Sequence, residues 1–194
     1  MGSEMCIRDS QVTMKIIETT IPDVKIIEPD VFGDDRGFFL ESWNEKKFAE
    51  AELPVRFVQD NHSRSAQGIL RGLHYQTSHT QGKLVRVTAG NVFDVAVDLR
   101  KTSNTYGQWV GFELSEANHR MLWVPPCFAH GFYVLSKSAD FLYKCTDQYS
   151  PEDEVSLRWD DPDIGVEWPL VSGVETALSA KDKAGIPFHS APSF

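Results

Sequence analysis

No run of apolar residues in this 194-residue chain approaches the roughly 18 that a membrane-spanning helix requires. No secretory signal pattern stands at its start. Cysteine is scarce: Cys6, Cys127 and Cys145 form no CxxC pair and have no zinc-ligand spacing, and three thiols cannot all pair. A reduced, cytoplasmic setting is expected from that count. Excess positive charge is missing too, with 19 Lys and Arg against 28 Asp and Glu for a net charge of -9. Nucleic acid and anionic membranes need a broad basic face, so neither is expected as a partner. A small anionic ligand remains open, because it needs only a local pocket of Arg and Lys. Internal repeats and low-complexity tracts are absent as well. The length allows one sizeable core, and an apolar fraction of 41% with 24% charged residues describes a folded globular chain.

What the chain does contain is mostly strand. Residues 1–13 have no clean periodicity, whereas Met14-Lys15-Ile16-Ile17 reads as a natural start. The first thirteen residues are therefore read as an appended or non-native leader, and 14–194 as a single domain. Lys83–Ala89 alternates apolar and polar positions, Gly90-Asn91 marks a turn, and Val92–Leu99 alternates again, which together predict a β-hairpin. Trp109–Leu114, Met121–Val124, Gly131–Leu135 and Phe141–Lys144 are further strand-like runs. Short strands parted by turn residues predict an antiparallel sandwich or barrel. One helix is predicted over Asn44–Glu52, with Asn44 as N-cap and Phe48 on its apolar side. From Ser150 onward the chain is rich in loops and in proline, with a helical turn expected near Ser179–Asp182.

Two histidine motifs lead into these strands. Arg71 to Lys83 reads Arg-Gly-Leu-His-Tyr-Gln-Thr-Ser-His-Thr-Gln-Gly-Lys, and Pro125 to Phe132 reads Pro-Pro-Cys-Phe-Ala-His-Gly-Phe. This is the layout of a cupin-type jelly roll. Metal-binding cupins carry His-x-His and then a Glu on the first motif. Here the motif is His74-Tyr75-Gln76, and the next charged residue is Lys83. A cation repels a metal, and Gln is a poor ligand for zinc or iron, so no metal is expected. Without one, an imidazole can abstract a proton near neutral pH. An ammonium can stabilise a developing enolate oxygen, and guanidinium favours phosphate. The combination suits removal of a proton next to a carbonyl on a phosphorylated or nucleotide-linked substrate, although a lone strand histidine is commonly structural.

Several motifs in order carry a closer resemblance. Phe32-Gly33-Asp34-Asp35-Arg36-Gly37-Phe38-Phe39, Gln59-Asp60-Asn61-His62-Ser63, Arg71-Gly72-Leu73-His74, Asp94–Arg100, Phe128-Ala129-His130-Gly131-Phe132 and Phe141-Leu142-Tyr143-Lys144 resemble the dTDP-4-dehydrorhamnose 3,5-epimerase family. The likeness runs from about Met14 to about Asp182. It implies a cofactor-independent, homodimeric jelly roll that inverts C3 and C5 of dTDP-4-dehydro-6-deoxy-D-glucose on the path to dTDP-L-rhamnose. By that resemblance His74 would be the base, Asp182 its hydrogen-bond partner, Tyr143 the acid on the opposite face, and Lys83 the group holding the C4 oxygen. Arg36 and Arg71 would meet the diphosphate. Glu41, Gln59, Asp60, Asn61, His130, Glu154 and Lys181 would complete the binding set. Tyr149 and the Phe38-Phe39 pair would stack on thymine, shape the pocket or simply pack.

The other titratable groups are read more plainly. His62 could touch substrate or merely pack; His79, His119 and His189 are read as solvated, and Cys145 as core. One departure stands out: Cys127 occupies a turn position where the family usually has Gly, so the turn either tolerates a β-carbon or shifts and moves His130. Two rival functions stay open. One is a single-site 3- or 5-epimerase or a ketoisomerase of the same kind of dTDP-4-keto-6-deoxy sugar. The other is a non-catalytic cupin that binds a sugar nucleotide, which would need Arg71 and Lys83 but not His74, Tyr143 and Asp182 together. The first strand after Met14 is expected to be exchanged between the two chains of the dimer.

Overall fold

The computed structural model describes residues 14–194, so the reading of the leader and of Cys6 lies outside the described residues. The first elements of the described residues are β1 (Lys15–Glu18), β2 (Lys25–Glu28), β3 (Val31–Asp34), β4 (Gly37–Leu40) and helix α1 (Glu45–Glu50). Then follow β5 (Gln59–Ala66), β6 (Leu70–Gln76), β7 (Lys83–Ala89), β8 (Asn91–Asp98) and β9 (Trp109–Ser115). β10 (Met121–Val124), β11 (Phe128–Val134), β12 (Ser138–Cys145), β13 (Glu154–Ser156) and the short helix α2 (Ala180–Lys183) complete it. Two antiparallel sheets, ordered β1-β2-β10-β7-β12-β5 and β13-β6-β11-β8-β9, face each other as a jelly roll. β3 and β4 form a separate two-stranded hairpin.

The pattern over Lys83–Leu99 is not a hairpin. β7 pairs with β10 and β12, whereas β8 pairs with β9 and β11, so the Gly90 turn carries the chain from one sheet to the other. Gly90 has φ +77 and backbone and side-chain atoms of residues 136–139 crowd the space a β-carbon would fill, which confines that corner to glycine. Alternation is satisfied equally by either topology, because both strands turn an apolar face toward the same core. The strand after Met14, β1, pairs with β2 of its own chain, Ile16 opposite Ile27.

Three apolar clusters hold the layers. Between the sheets lie Val85, Val87, Val92, Ala96, Phe128, Phe132 and Phe141. The far face of the five-stranded sheet is covered by the C-terminal tail, where Leu73, Tyr75, Val95 and Val97 meet Leu157, Ile164, Trp168 and Phe188. This explains why β8 reads apolar on both faces. On the far face of the other sheet, Phe48 of α1 packs with Ile27, Leu84, Met121 and Trp123. Asn44 caps that helix by accepting from the Lys47 amide at 3.2 Å. Among the described residues no helix is long and apolar enough to cross a membrane.

Cys127 keeps the turn before β11 intact at a left-handed φ of 69, and β11 still pairs in register with β8 from Phe128 to Val134. The turn tolerates the β-carbon instead of shifting. Left-handed backbone costs a non-glycine residue about 1–2 kcal/mol, and glycine loses about 0.5–1 kcal/mol more chain entropy on folding. Cys127→Gly is therefore expected to raise stability by about 0.5 kcal/mol in urea unfolding. A fall instead would mean that the packing of the thiol outweighs the backbone strain.

Candidate active site

Between the two sheets opens a cavity of about 320 Å³. Inward positions of five strands line it: Gln59, Asn61 and Ser63 of β5, Arg71 and His74 of β6, Lys83 of β7, His130 and Phe132 of β11, Phe141 and Tyr143 of β12. Gln81, Tyr149, Glu154 and Lys181 complete the rim. The two histidine motifs meet directly, since His74 and His130 are partners across β6 and β11. Glycine makes that approach possible. A β-carbon on Gly72 (φ +135) would stand 2.5 Å from Gly131 Cα, and one on Gly131 would stand 2.7 Å from the Arg71 carbonyl.

His74 is 21% exposed at its side chain, and its Nε2 lies 2.5 Å from Oδ1 of Asp182, which is 3% exposed. The same oxygen accepts the Gly72 amide at 3.3 Å. The other oxygen belongs to a capping box at the start of α2: Ser179 Oγ donates to it at 2.6 Å, and Ser179 Oγ accepts the Asp182 amide at 3.1 Å. The carboxylate is thus oriented from both sides. With Nε2–H donating to Asp182, the lone pair of the neutral ring resides on Nδ1, where a proton can be taken. Burial alone would raise the Asp182 pKa. The hydrogen bonds from His74, Ser179 and Gly72 and the charge of His74 outweigh it and bring the value down to about 2.

Tyr143 and Lys83 belong to the other sheet, on neighbouring strands. Among the described residues, neither the Tyr143 hydroxyl nor the Lys83 ammonium has a hydrogen-bond or ion-pair partner, so both are available to a ligand. Burial raises the Tyr143 pKa, which keeps the phenol protonated. Burial also lowers the pKa of Lys83, opposed by Cys145, Glu154 and Asp94. Cys145 is fully buried, and burial raises its thiol pKa, which fits a core residue and not a nucleophile.

Sequence reasoning assigned no role to Asp94. It is fully buried behind His130, with its two oxygens 2.9 and 3.1 Å from Nε2 of that ring. Burial raises its pKa, against the opposing pull of His130 and Lys83. The sequence did hold a signal. Asp94 shares the inward face of β8 with Val92 and Ala96, and an acid at such a position needs a partner. At the rim, Glu154 accepts from Lys181 and from the Tyr149 hydroxyl, each at 2.7 Å.

Three expected binding residues do not line this cavity. Arg36 sits at the turn of the β3–β4 hairpin and pairs with Asp34. Glu41 holds Lys47 at 2.6 Å beside the start of α1, and Asp60 holds Lys144 at 2.7 Å. Phe38 and Phe39 are on the same hairpin as Arg36, 63% and 48% exposed, and Phe38 lies against His119 with ring centroids 4.7 Å apart. His62 is exposed beside Asp140 at 3.5 Å, outside the cavity, and His79 and His189 are exposed next to Asp147 and Asp163.

A carboxylate held at about 2 in the fold, against 3.8 unperturbed, stabilises the folded chain above 3.8 and loses that contribution as pH falls toward 2. The stability difference between wild type and Asp182→Asn is expected to be steady near neutral pH and to close across that acid window in denaturant titrations. A difference of constant width would mean that the carboxylate is not held by these bonds.

Known proteins bear directly on this geometry. The family model described as dTDP-4-dehydrorhamnose 3,5-epimerase matches residues 18–190. A protein of that name from Pseudomonas aeruginosa is 58% identical over 182 residues, covering 93% of this chain and 99% of its own. Another from Salmonella typhimurium is 58% identical over 173 residues, covering 88% of this chain and 93% of its own. The crystal structure of the 3,5-epimerase RmlC from Legionella pneumophila in complex with dTDP-4-keto-L-rhamnose superposes with a TM-score of 0.89 at 55% identity, over 92% of this chain and 95% of that one. With the match spanning both sheets and the tail that supplies Asp182, this chain belongs to the dTDP-4-dehydrorhamnose 3,5-epimerase family.

Proposed function

We propose that residues 14–194 act as one catalytic domain that inverts C3 and C5 of dTDP-4-dehydro-6-deoxy-D-glucose, on the way to dTDP-L-rhamnose. The observation that carries this reading is a base and an acid on opposite sheets across one cavity. His74, backed by Asp182, belongs to the five-stranded sheet, and Tyr143 to the six-stranded one. Inversion requires that separation, because the proton must leave one face of the carbon and return to the other.

Both reacting carbons flank the C4 ketone. His74 takes the proton from carbon and becomes imidazolium, which the Asp182 carboxylate stabilises. The electron pair moves into the carbonyl and leaves an enolate on O4, held by the Lys83 ammonium. Tyr143 then returns a proton to the opposite face as the ketone re-forms, and exchange with solvent resets the phenol and the imidazolium. One enolate site serves both carbons. Arg71 and Lys181 supply positive charge for the diphosphate, with Gln59, Asn61, His130, Tyr149 and Glu154 completing the wall around the nucleotide sugar. The reaction is read as needing no metal or cofactor, and a cytoplasmic setting suits the free thiols Cys127 and Cys145.

Incubation in deuterated water tests the chemistry. Proton NMR of the dTDP-4-keto sugar is expected to show deuterium at both C3 and C5 with wild type, and none with His74→Ala, while dTDP binding is nearly unchanged. Label at one carbon only would reassign the enzyme as a single-site epimerase.

The enzyme is further read as a homodimer. Val31, Phe32, Phe38 and Phe39 are 41%, 41%, 63% and 48% exposed on the β3–β4 hairpin, an apolar patch that a second copy would cover. In that arrangement Arg36 and Glu41, absent from the cavity of their own chain, would serve the neighbouring one. Light scattering after gel filtration is expected to give a dimer. Phe38→Asp with Phe39→Asp should yield a monomer with loss of activity, whereas a monomeric, active wild type would overturn the reading.

A further inference from the structure

Gln76 stands two residues beyond His74 on β6 and therefore on the same face of the strand, yet it does not line the cavity. It is 5% exposed, and every polar atom of its carboxamide is engaged by backbone. Nε2 donates to the His79 carbonyl at 2.7 Å and to the Gln148 carbonyl at 3.2 Å. Oε1 accepts the Ser150 amide at 3.0 Å. One side chain thus grips the peptide groups on both sides of Tyr149. The Tyr149 amide itself donates to Gln59 Oε1 at 2.8 Å. The backbone around this residue is held at three points, while the residue as a whole is 48% exposed at the cavity rim and its hydroxyl reaches Glu154.

The same carboxamide anchors the loop between β6 and β7 at His79. That loop is tied again to the segment after β12, by Gln81 Nε2 to the Asp147 carbonyl at 2.9 Å and by the Gly82 amide to Thr146 Oγ1 at 2.8 Å. The Lys83 end of that loop therefore has anchors of its own, whereas in the segment after β12 the Gln148 carbonyl and the Tyr149 and Ser150 amides are all held by the two glutamines. Only a primary carboxamide offers two donors and an acceptor from one planar group, and Asn would fall one methylene short.

We propose that Gln76 is a positioning residue for substrate binding: it holds Tyr149, and with it the Tyr149–Glu154 contact, against the cavity, apart from the proton transfers at His74 and Tyr143. The inference rests on the proposed function for the role of Tyr149 in the nucleotide-sugar wall. It separates two jobs within β6, where His74 does chemistry and its same-face neighbour shapes the binding wall.

A double-mutant cycle tests it, with Gln76→Leu, Tyr149→Ala and the pair measured for dTDP affinity by calorimetry and for kcat and KM. Gln76→Leu is expected to weaken dTDP binding and raise KM by about tenfold, the net worth of one or two neutral hydrogen bonds. It should leave kcat within about twofold, as a change in binding alone does. In the Tyr149→Ala background the same substitution should add less than about twofold, because the group it positions is gone. Gln76→Glu keeps the side-chain length and the bond from Ser150 but removes both donors; it takes the place of leucine in the cycle if Gln76→Leu does not fold. Additive losses in the cycle, or a fall in kcat at unchanged KM, would overturn the proposal. A His74→Ala enzyme that still exchanges C3 and C5 protons would overturn the catalytic reading instead, while the coupling between Gln76 and Tyr149 would stand.

Discussion

The 2.5 Å contact between His74 and Asp182 joins two parts of the chain that are 108 residues apart, and much of the architecture exists to make it. His74 comes from the middle of a sheet, while Asp182 arrives on a tail that must first cross the back of that sheet. The tail can do so because Leu73, Tyr75, Val95 and Val97 turn apolar side chains outward to receive Leu157, Ile164 and Trp168. The burial that fastens the tail is thereby coupled to the acid–base chemistry at its end. The capping box of α2 supplies the last constraint, holding the oxygen of Asp182 that His74 and Gly72 do not reach.

A second constraint is the meeting of Gly72 and Gly131. Side chains at either position would force β6 and β11 apart, and the two histidines are register partners only because these strands touch there. Each histidine then has its own buried carboxylate, Asp182 or Asp94. The two pairs differ in environment. Asp182 collects enough hydrogen bonds to remain a strong anion, whereas burial pushes Asp94 the other way. One cavity therefore contains two imidazoles of unlike electrostatic backing, one 21% and one 8% exposed at the side chain.

The strands that pack apolar side chains were legible in the sequence: β7 and β10 match their predicted limits, and α1 begins after the expected Asn44 cap. β5 was not legible, and its residues explain why. Gln59, Asn61 and Ser63 alternate with Asp60, His62 and Arg64, so burial alternates along the strand but polarity does not. A strand whose inner face lines a polar cavity gives no hydropathic signal. β6 was obscured by Gly72, which weakens a strand pattern at the point where the backbones need it. The pairing of β7 and β8 was misread because alternation reports which face is buried and not which strand lies alongside. The cavity residues themselves were reachable through motif resemblance; Arg36, Glu41 and Asp60 were not separable from the rest, since a motif carries no information about which wall of which cavity a residue lines.

The path of the tail also sets a temporal order. Among the described residues all thirteen strands precede Ser179 in the chain, so every strand is synthesised before the carboxylate that backs His74. Until α2 is made, His74 lacks its partner and the cavity rim lacks Lys181. The partner of the base and a cation of the rim are thus conferred together and late in synthesis, by one short segment of the translated chain.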